Sequence, residues 1–482
     1  MNRTILRSLY HKLAPKSLRS WVSRIRRAKS YAEYYRVTPE DSDNYLAGLV
    51  ATSKYFSEQQ ALTSETLKPL HIAFAARNVR SHLLGHDWWA DFVFAATNLD
   101  ENSQDTQDKL VARIKALPLN TLQHWELLHV YALALRVGLF MVGYVLRCKA
   151  REVAIDYLRQ GKKLSPAQLI AAIAAQMETG QYAEVQKNIA QLGRRYAREK
   201  QLLSYLYGLM APERDAELIP NSGLDDSEQD REFRKLVQGK SIAVVGPAKV
   251  DRQDAAQIDS YELVVRCNYR EKGVGVDDTV KGLRCDITYF NGVQDKYFCD
   301  QETVNWPHEI EWAVCKSQVR AERVAEKVTR FLDTCKDTGS FRNLHRFKTR
   351  ALQPARRVIF HNKRLNAIPN IALDLHRFNP ASIYVFHVDL FLTVERISSY
   401  HPDTMKIDNY LRQSVAALSS FSGVMDPITQ YWILHELWQL GKIEGDSRFN
   451  EVMSLGEQEY MRQLQVIYGS LGRLSGEFQT VC

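Results

Sequence analysis

The chain has 482 residues, of which 45% are hydrophobic and 25% are charged. This length exceeds one ordinary domain and supplies enough apolar side chains for at least one large core. The charged fraction is that of an average globular protein, which excludes a chain that is disordered throughout. The net charge of +8 is modest, and no nucleic-acid-binding motif accompanies it, so we expect no nucleic-acid partner.

Basic residues are concentrated in the first 36 residues, where Glu33 is the single acid. Apolar side chains, Trp21 among them, recur between these cations at roughly helical spacing. A basic amphipathic helix of this kind binds anionic lipid headgroups, so residues 1–30 are a candidate for contact with a membrane surface. A solvated helix that packs on its own domain and a transit peptide are the alternatives. The apolar run is too interrupted for a secretory signal peptide.

Two features favour a cytoplasmic protein that is at most peripheral to the inner membrane. The longest apolar stretch, residues 131–146, carries Arg136 and is shorter than the roughly 20 residues that a spanning helix needs. We expect it to be a buried helix. The cysteines number seven, with no CxxC pair and no metal-type spacing, which predicts reduced thiols and neither a disulfide framework nor a metal site.

Residues 37–210 predict an all-α domain, because they are rich in Ala, Leu, Gln, Arg and Glu and poor in β-branched runs. A helix start is visible at Ser165-Pro166, and a turn at Thr179-Gly180 precedes a second helix. This pattern is typical of a tetratricopeptide-like helical hairpin, with an ordinary helical hairpin as the alternative. Residues 211–238 then read as a Pro-, Gly- and acid-rich linker followed by a short charged helix, and we place the domain boundary there.

From residue 239 to residue 482 short Val- and Ile-rich runs alternate with helical stretches. Such continuous apolar runs predict a mostly parallel sheet that is covered on both faces, and therefore a Rossmann-like α/β fold. The predicted strands lie in 241–246, 263–268, 285–291, 312–316, 357–361 and 382–391.

The first predicted strand ends in Gly246-Pro247-Ala248. A glycine at this point of an α/β unit lets the backbone approach a phosphate or a ribose. The turn is not the G-x-G-x-x-G of dinucleotide-binding proteins, so by itself it predicts a nucleotide site of a generic kind.

The whole of residues 241–292 resembles the long sialylmotif of the eukaryotic-type sialyltransferases, glycosyltransferase family 29. The matching elements are 243–246, 258–261, 265–268, 281–282 and Asn291. The resemblance implies the sialyltransferase variant of the GT-A, Rossmann-like fold. It also implies that a cytidine nucleotide contacts Gly246, Pro247, Ala248, Asn268 and Asn291.

Downstream, residues 368–391 are similar to the short sialylmotif of the same family, in which a turn opens a helix and a strand follows. Pro369-Asn370-Ile371 occupies the place of that turn, and a helix N-terminus presents free N–H groups to an anion. The resemblance implies that Pro369, Asn370 and Ile371 contact the nucleotide. The alternative is that Pro369 only caps a surface helix.

The resemblance covers residues 241–441, and three positions depart from it. Ser241 stands in place of a cysteine that forms a disulfide in secretory-pathway members, and His387 stands in place of a glycine. Met425 occupies the position at which the family supplies a histidine, and a thioether cannot accept a proton.

The proton acceptor must therefore come from elsewhere in the chain. A displacement of this type needs a general base whose pKa lies near neutrality, for which histidine is the usual choice. His401 is the first candidate, Asp426 the second, and His387 lies in the same region of the sequence. A carboxylate nucleophile in a retaining, two-step transfer is an alternative chemistry. For each residue the alternative role is that of a loop or capping residue.

These features together predict transfer of an acidic sugar from a CMP-activated donor to a surface glycan such as capsule or lipopolysaccharide. Sialic acid is the sugar that the resemblance names, and Kdo or a related nonulosonic acid presents equivalent chemistry. No metal or other cofactor is required, because backbone N–H groups and cations can stabilise the departing monophosphate. The alternatives are an inactive nucleotide-sugar fold that acts with the helical domain as an interaction scaffold, and a transferase that uses another nucleotide donor.

Overall fold

A computed structural model describes Trp88, Phe92 and residues 103–136, 138–160, 163–211, 227–248, 252–267, 278–282, 284–290, 310–338, 348–352, 358–361, 365–392 and 426–469. The basic segment 1–36 lies outside these ranges, as does about half of the linker, residues 212–226. The chain forms two compact units, and the division between them falls between Gln168 and Leu169.

The described part of the first unit includes the helices α1 (Ser103–Ala116), α2 (His124–Arg136) and α3 (Phe140–Arg159). The apolar stretch 131–146, expected to be one buried helix, is the end of α2 and the beginning of α3, so that prediction was wrong in its continuity. Most of the described side chains in this stretch are buried, as expected, and Tyr131, Leu139 and Phe140 are among the least exposed. A polar contact joins the two helices, because the Tyr157 hydroxyl donates to Gln123 and lies 3.1 Å from Nδ1 of His124.

We expect the first unit to lose stability in mild acid through His124. Burial lowers the pKa of His124 from 6.5 to about 4, so below pH 6.5 the unfolded chain binds a proton that the folded chain refuses. The contribution of neutral His124 to the free energy of unfolding is therefore complete above pH 6.5. It decreases as the pH drops towards 4, by about 2 kcal/mol near pH 5. The measurement is the urea midpoint near pH 7 and near pH 5. His124→Gln should show a smaller difference between the two, and an equal difference would contradict the assignment.

The second unit begins with three helices that precede the sheet in the chain, α4 (Pro166–Glu178), α5 (Val185–Ala190) and α6 (Ala197–Met210). The predicted helix start is confirmed. Ser165 and Gln168 form a reciprocal capping box, in which the Ser165 N–H donates to Oε1 of Gln168 and the Gln168 N–H donates to the Ser165 hydroxyl. The predicted turn at Gly180 is also present, with φ of 69° at this residue. The second helix of the hairpin is shorter than the sequence suggests, because a 3-10 turn at Tyr182–Glu184 precedes α5.

These helices pack directly on the α/β part of the second unit. The Tyr205 hydroxyl on α6 donates to the carbonyl of Leu373 at 2.5 Å, and the Tyr182 hydroxyl donates to Glu436 at 2.9 Å. Burial raises the pKa of both tyrosines, which keeps them protonated as donors. The helical segment up to Met210 is therefore part of the unit that holds the sheet.

A seven-stranded, fully parallel sheet forms the centre of the second unit, in the order β5-β4-β3-β2-β1-β6-β7. Leu263–Cys267, Ile287–Phe290 and Trp312–Cys315 are buried at every position, so both faces of the sheet are covered there, as the sequence predicts. The strands are β1 (Ser241–Val245), β2 (Leu263–Cys267), β3 (Ile287–Phe290), β4 (Trp312–Cys315), β5 (Lys348–Ala351), β6 (Ser382–Phe386) and β7 (Glu444–Gly445).

The strand order places a change of direction at the centre of the sheet. From β1 the chain builds outward through β2, β3, β4 and β5, and then returns to add β6 on the other side of β1. In open parallel sheets ligands bind at this switch point, in the crevice beyond the carboxyl ends of the strands. The α/β, Rossmann-like class predicted from the sequence is confirmed at this level.

One predicted strand was wrong. Residues 358–361 form a turn, and the fifth strand is Lys348–Ala351. This segment contains no apolar run that would predict a strand. Two charged or polar side chains of this strand are buried, Thr349 and Arg350. Arg350 is stabilised there by carboxylates from two helices, so its place in the sheet depends on long-range partners.

The remaining helices lie before, between and after the strands. The short charged helix predicted after the linker is α7, which Ser227 caps through the N–H of Asp230. Their bounds are α7 (Glu228–Val237), α8 (Ala255–Asp259), α9 (Asp278–Lys281), α10 (Gln318–Thr338), α11 (Ala367–His376), α12 (Pro427–Gln439), α13 (Ser447–Ser454) and α14 (Glu457–Leu464).

The described residues bear on the predicted state of the cysteines and on membrane-spanning helices. Cys148, Cys267, Cys285 and Cys315 are free thiols, in agreement with the prediction of reduced cysteines. Among the helices within the described ranges, none has the length and apolarity needed to cross a membrane.

Candidate functional site

The turn after β1 lies at the switch point and is bonded to the loop after β6. The Gly246 N–H donates to the Phe386 carbonyl at 2.8 Å, and the Ala248 N–H donates to the His387 carbonyl at 3.0 Å. A Cβ atom on Gly246 would lie 2.5 Å from the His387 oxygen and 2.4 Å from Cγ2 of Val388. The absence of a side chain is therefore required by the β6 loop, a reason that differs from the ligand approach expected from the sequence.

The matched residues of β2 and α9 form a structural clamp. The buried Arg266 guanidinium donates to the carbonyls of Lys281, Gly282 and Arg284 at 2.7 to 3.2 Å. Gly282 has φ of +66°, and a Cβ atom there would meet the Asp259 carboxylate at 2.6 Å. These contacts hold the end of α9 beside the switch point.

Lys281 connects this clamp to the turn after β1, since its ammonium group donates to the Gly246 carbonyl at 2.8 Å. The side chain is buried, and burial together with the nearby Arg266 lowers the pKa of Lys281 to about 7, although Asp389 opposes this shift. A cation that loses its proton near neutrality thus lies beneath the carboxyl end of β1.

Three side chains from distant segments meet beside it and form what we name the switch-point cluster: Asp254, His387 and Asp446. Nε2 of His387 lies 2.8 Å from Oδ2 of Asp254, and the His387 backbone N–H donates to Oδ2 of Asp446 at 2.7 Å. Asp446 also caps α13 through the Phe449 N–H, and Arg252 pairs with Asp254 at 2.8 Å. One ring nitrogen and one oxygen from each carboxylate lie within 4.8 Å of one another, a spacing that could hold a metal ion.

The backbone at His387 adopts the left-handed region, with φ of 56°, and Leu390 and Phe391 follow with φ of 48° and 75°. Non-glycine residues in this region carry strain and are concentrated at functional sites. The His387 imidazole is fully buried, and burial together with Lys281 lowers its pKa to about 4. The ring is therefore neutral near pH 7, and its Nδ1 has no hydrogen-bond partner.

A second feature of the same sheet edge is a small, mostly apolar cleft beyond β3, β4 and β5. Its lining includes Phe290, Val314, Lys316, Ala367 and Asn370. Phe290 directly precedes Asn291 in the chain, and Asn370 belongs to the segment that resembles the short sialylmotif. The two motif-like segments therefore meet at this cleft as well as in the β1–β6 pairing, where Ile242 is opposite Ile383 and Val245 is opposite Phe386.

The predicted turn at Pro369-Asn370-Ile371 was wrong in its position. Helix α11 begins at Ala367, so all three residues lie inside the helix and are buried. The Asn370 amide donates to the carbonyls of Leu365 and Asn366 at 3.0 and 2.8 Å, which ties it to the residues just before the helix, while the N-cap Asn366 makes no side-chain capping bond. Their contact with a nucleotide remains a prediction.

Asp426, the second candidate for the base, is the N-cap of α12 and is buried. Its carboxylate accepts from the Ile428 N–H and the Thr429 hydroxyl and lies 3.2 Å from Nδ1 of His361. A histidine therefore does lie at the start of this helix, although it comes from residue 361 and not from position 425. Asn268, Asn291 and His401 lie outside the described residues, and their roles stay predictions.

Three residues of this edge were missed by the reasoning from sequence: Asp254, His361 and Asp446. An acid before a helix start, as at Asp446-Ser-Arg-Phe, was readable as a cap. Its approach to a histidine 59 residues away was not. Comparisons with protein-family models, with curated proteins and with solved structures find no match to this chain.

Proposed function

We propose that this protein is a glycosyltransferase that uses a CMP-activated acidic sugar and binds the cytidine nucleotide at the carboxyl edge of the sheet, beside β1, β3 and α11. The acceptor in this proposal is a surface glycan or glycolipid, and residues 1–30 supply contact with an anionic membrane. No resident cofactor is needed for the transfer, since CMP is the leaving group.

The observation that carries the proposal is the meeting of the two motif-like segments at one edge of a parallel sheet. The turn Gly246–Ala248 is bonded to the loop that begins at His387, and Phe290 shares a cleft with Asn370. Two segments about a hundred residues apart in sequence thus meet at the carboxyl edge of the sheet in two places, at the β1–β6 switch point, where nucleotide ligands of such folds bind, and beyond β3 to β5. Lys316, which lines the cleft beyond β3 to β5, supplies positive charge at the same edge, which suits an anionic donor.

The first test is stabilisation of the purified chain by CMP in a thermal-shift titration. A ligand at about 100 times its Kd stabilises the folded state by about 2.7 kcal/mol, and we expect a saturable rise in Tm with CMP. UMP and GMP serve as matched nucleotide controls, and Asn268→Ala and Asn291→Ala should each weaken the response to CMP. A chain that ignores CMP but responds to UDP or GDP would point to another donor, and no response to any nucleotide would refute the site.

The second test separates an enzyme from an inactive fold that only binds. Release of CMP from CMP-sialic acid and from CMP-Kdo is measured for the wild type and for His401→Ala. We expect turnover of one of these donors, and its loss in His401→Ala while the response to CMP persists. Binding without turnover of any CMP-sugar would favour an interaction scaffold.

A further inference from the structure

The switch-point cluster joins residues that arrive from three separate parts of the fold. Asp254 precedes α8, His387 follows β6, and Asp446 follows β7 and begins α13. All three are buried, with residue exposures of 8%, 0% and 2%. Their convergence at the carboxyl ends of neighbouring strands β1, β6 and β7 is a property of the fold and not of one local turn.

The spacing of the cluster is close to that of a coordination shell, although somewhat wider. An ion bonded at about 2.1 Å to two ligands at right angles holds them about 3 Å apart. Nε2 of His387 and Oδ2 of Asp254 are already 2.8 Å apart, and the three ligand atoms lie within 4.8 Å of one another. An ion that replaces the proton between His387 and Asp254 would need only a small adjustment from Asp446.

Hydrogen bonding within the protein does not account for the whole histidine. Nδ1 of His387 is buried and has no partner, and a buried polar atom without a partner is costly. The residue also holds a left-handed backbone conformation, which exists only because the surroundings impose it. The imposed backbone conformation holds the imidazole in a set orientation with Nε2 beside Asp254, which suits a metal ligand. Nδ1 lies across the ring from Nε2, so an ion at Nε2 does not supply its missing partner.

The charge and the types of donor atom narrow the choice of ion. Asp254 and Asp446 contribute two carboxylates and His387 one ring nitrogen, and the charge of the two carboxylates matches that of a divalent ion. Arg252, which pairs with Asp254, would share that carboxylate with the ion. One nitrogen and two carboxylate oxygens suit a first-row divalent ion, since Mg²⁺ and Ca²⁺ prefer oxygen alone and copper(I) prefers sulfur.

We infer that Asp254, His387 and Asp446 bind one divalent cation of the Mn²⁺ or Zn²⁺ class, with water completing its coordination. This ion site is separate from the proposed nucleotide chemistry, which requires no metal. It goes beyond the proposed function, and either one can fail without the other.

The experiment is a titration of the full-length, tag-free protein with MnCl₂ after treatment with EDTA, in the absence of nucleotide. Free Mn²⁺ is counted from its electron paramagnetic resonance signal, and ZnCl₂ and MgCl₂ are added as competitors. We expect about one equivalent of Mn²⁺ to bind, with displacement by Zn²⁺ and much weaker competition by Mg²⁺.

Two variants locate the ion. Asp446→Asn keeps an N-cap side chain for α13, and His387→Gln keeps an amide donor towards Asp254. Each should weaken Mn²⁺ affinity at least tenfold, while the circular dichroism spectrum without metal stays that of the wild type. Asp426→Asn is the matched control, because it makes the same change at the buried cap of α12, and it should bind Mn²⁺ as the wild type does.

Three outcomes would overturn the inference. The wild type shows no saturable binding of Mn²⁺ or Zn²⁺; or the ion binds but Asp446→Asn and His387→Gln bind it equally well, which would place it on other histidines. If both variants misfold, Asp254→Asn at the most exposed of the three positions is used instead, and unchanged affinity in that variant refutes the site.

Discussion

Replacement of Arg350 by Met is expected to destabilise the sheet unit by about 3–5 kcal/mol, because it leaves buried carboxylates without their cation. Arg350 and Asp374 are almost completely buried, and Arg350 donates to both Asp374 and Asp230. Burial by itself raises the pKa of Asp374, but Arg350 and Arg377 outweigh this effect and lower it, so the carboxylate stays ionised. The substitution should therefore leave the ionised Asp374 carboxylate buried without its main partner.

The loss extends to the packing around the guanidinium. Its Cζ atom lies 4.4 Å from the ring centroid of Phe233 and 4.8 Å from that of Phe378, and the Tyr289 hydroxyl donates to Asp374 at 2.7 Å. Arg350 thus joins β5 to α7 and α11. The side chain of Met fills part of this volume but supplies neither the charge nor the donors.

Lys348→Met is the matched control, since it removes a cation from the same strand. Lys348 pairs with Glu232 at 2.8 Å, but both side chains are exposed to solvent, so its loss should leave the urea midpoint almost unchanged. Urea unfolding followed by circular dichroism, with hydrogen exchange of the β4 and β5 amides as the local measurement, compares the two variants. Equal stability of Arg350→Met and Lys348→Met would show that the network contributes little.

Gly246→Ala is expected to destabilise the protein by about 1–3 kcal/mol and to abolish the stabilisation by CMP. The new methyl group would lie 2.5 Å from the His387 carbonyl oxygen, which is backbone and cannot rotate away. Relief requires that the β1 turn separate from the β6 loop, and this movement would break the bonds from Gly246 and Ala248. Stability and nucleotide response should therefore decline together.

Gly193→Ala provides the control for this change. Nothing lies within 4 Å of a Cβ atom at Gly193, whose φ of −67° is open to any residue. We expect its Tm and its response to CMP to match those of the wild type. A Gly246→Ala protein with unchanged Tm would mean that the β6 loop yields easily, and an unchanged response to CMP would place the nucleotide elsewhere.

Much of the α/β unit could be predicted from local sequence. β1, β2, β3, β4 and β6 are short apolar runs that end in polar or small residues, and buried parallel strands require little else. The helix start at Ser165 followed from its capping side chain, whose hydrogen bonds span only a few residues. Such signals are readable because each one acts within a single turn of the chain.

The parts of the fold that the sequence did not predict depend on partners far away in the chain. The fifth strand, Lys348–Ala351, is polar in sequence, and Arg350 enters the sheet only because Asp230 and Asp374 reach it from residues 120 and 24 positions away. The apolar residues at 358–360 resemble a strand and are buried, but they form a turn. Burial and strand formation are separate outcomes, and an apolar run specifies only the first.

The turn after β1 shows how the two levels divide. The sequence by itself determined a short apolar strand that ends in Gly246-Pro247-Ala248, and with it the expectation of a parallel sheet and a nucleotide site. Only the tertiary structure decided that the β6 loop occupies the space beside Gly246 and that Asp254, His387 and Asp446 converge there. The physical reason is that strand order and the buried pairing of charges depend on contacts across more than a hundred residues, which no local pattern encodes.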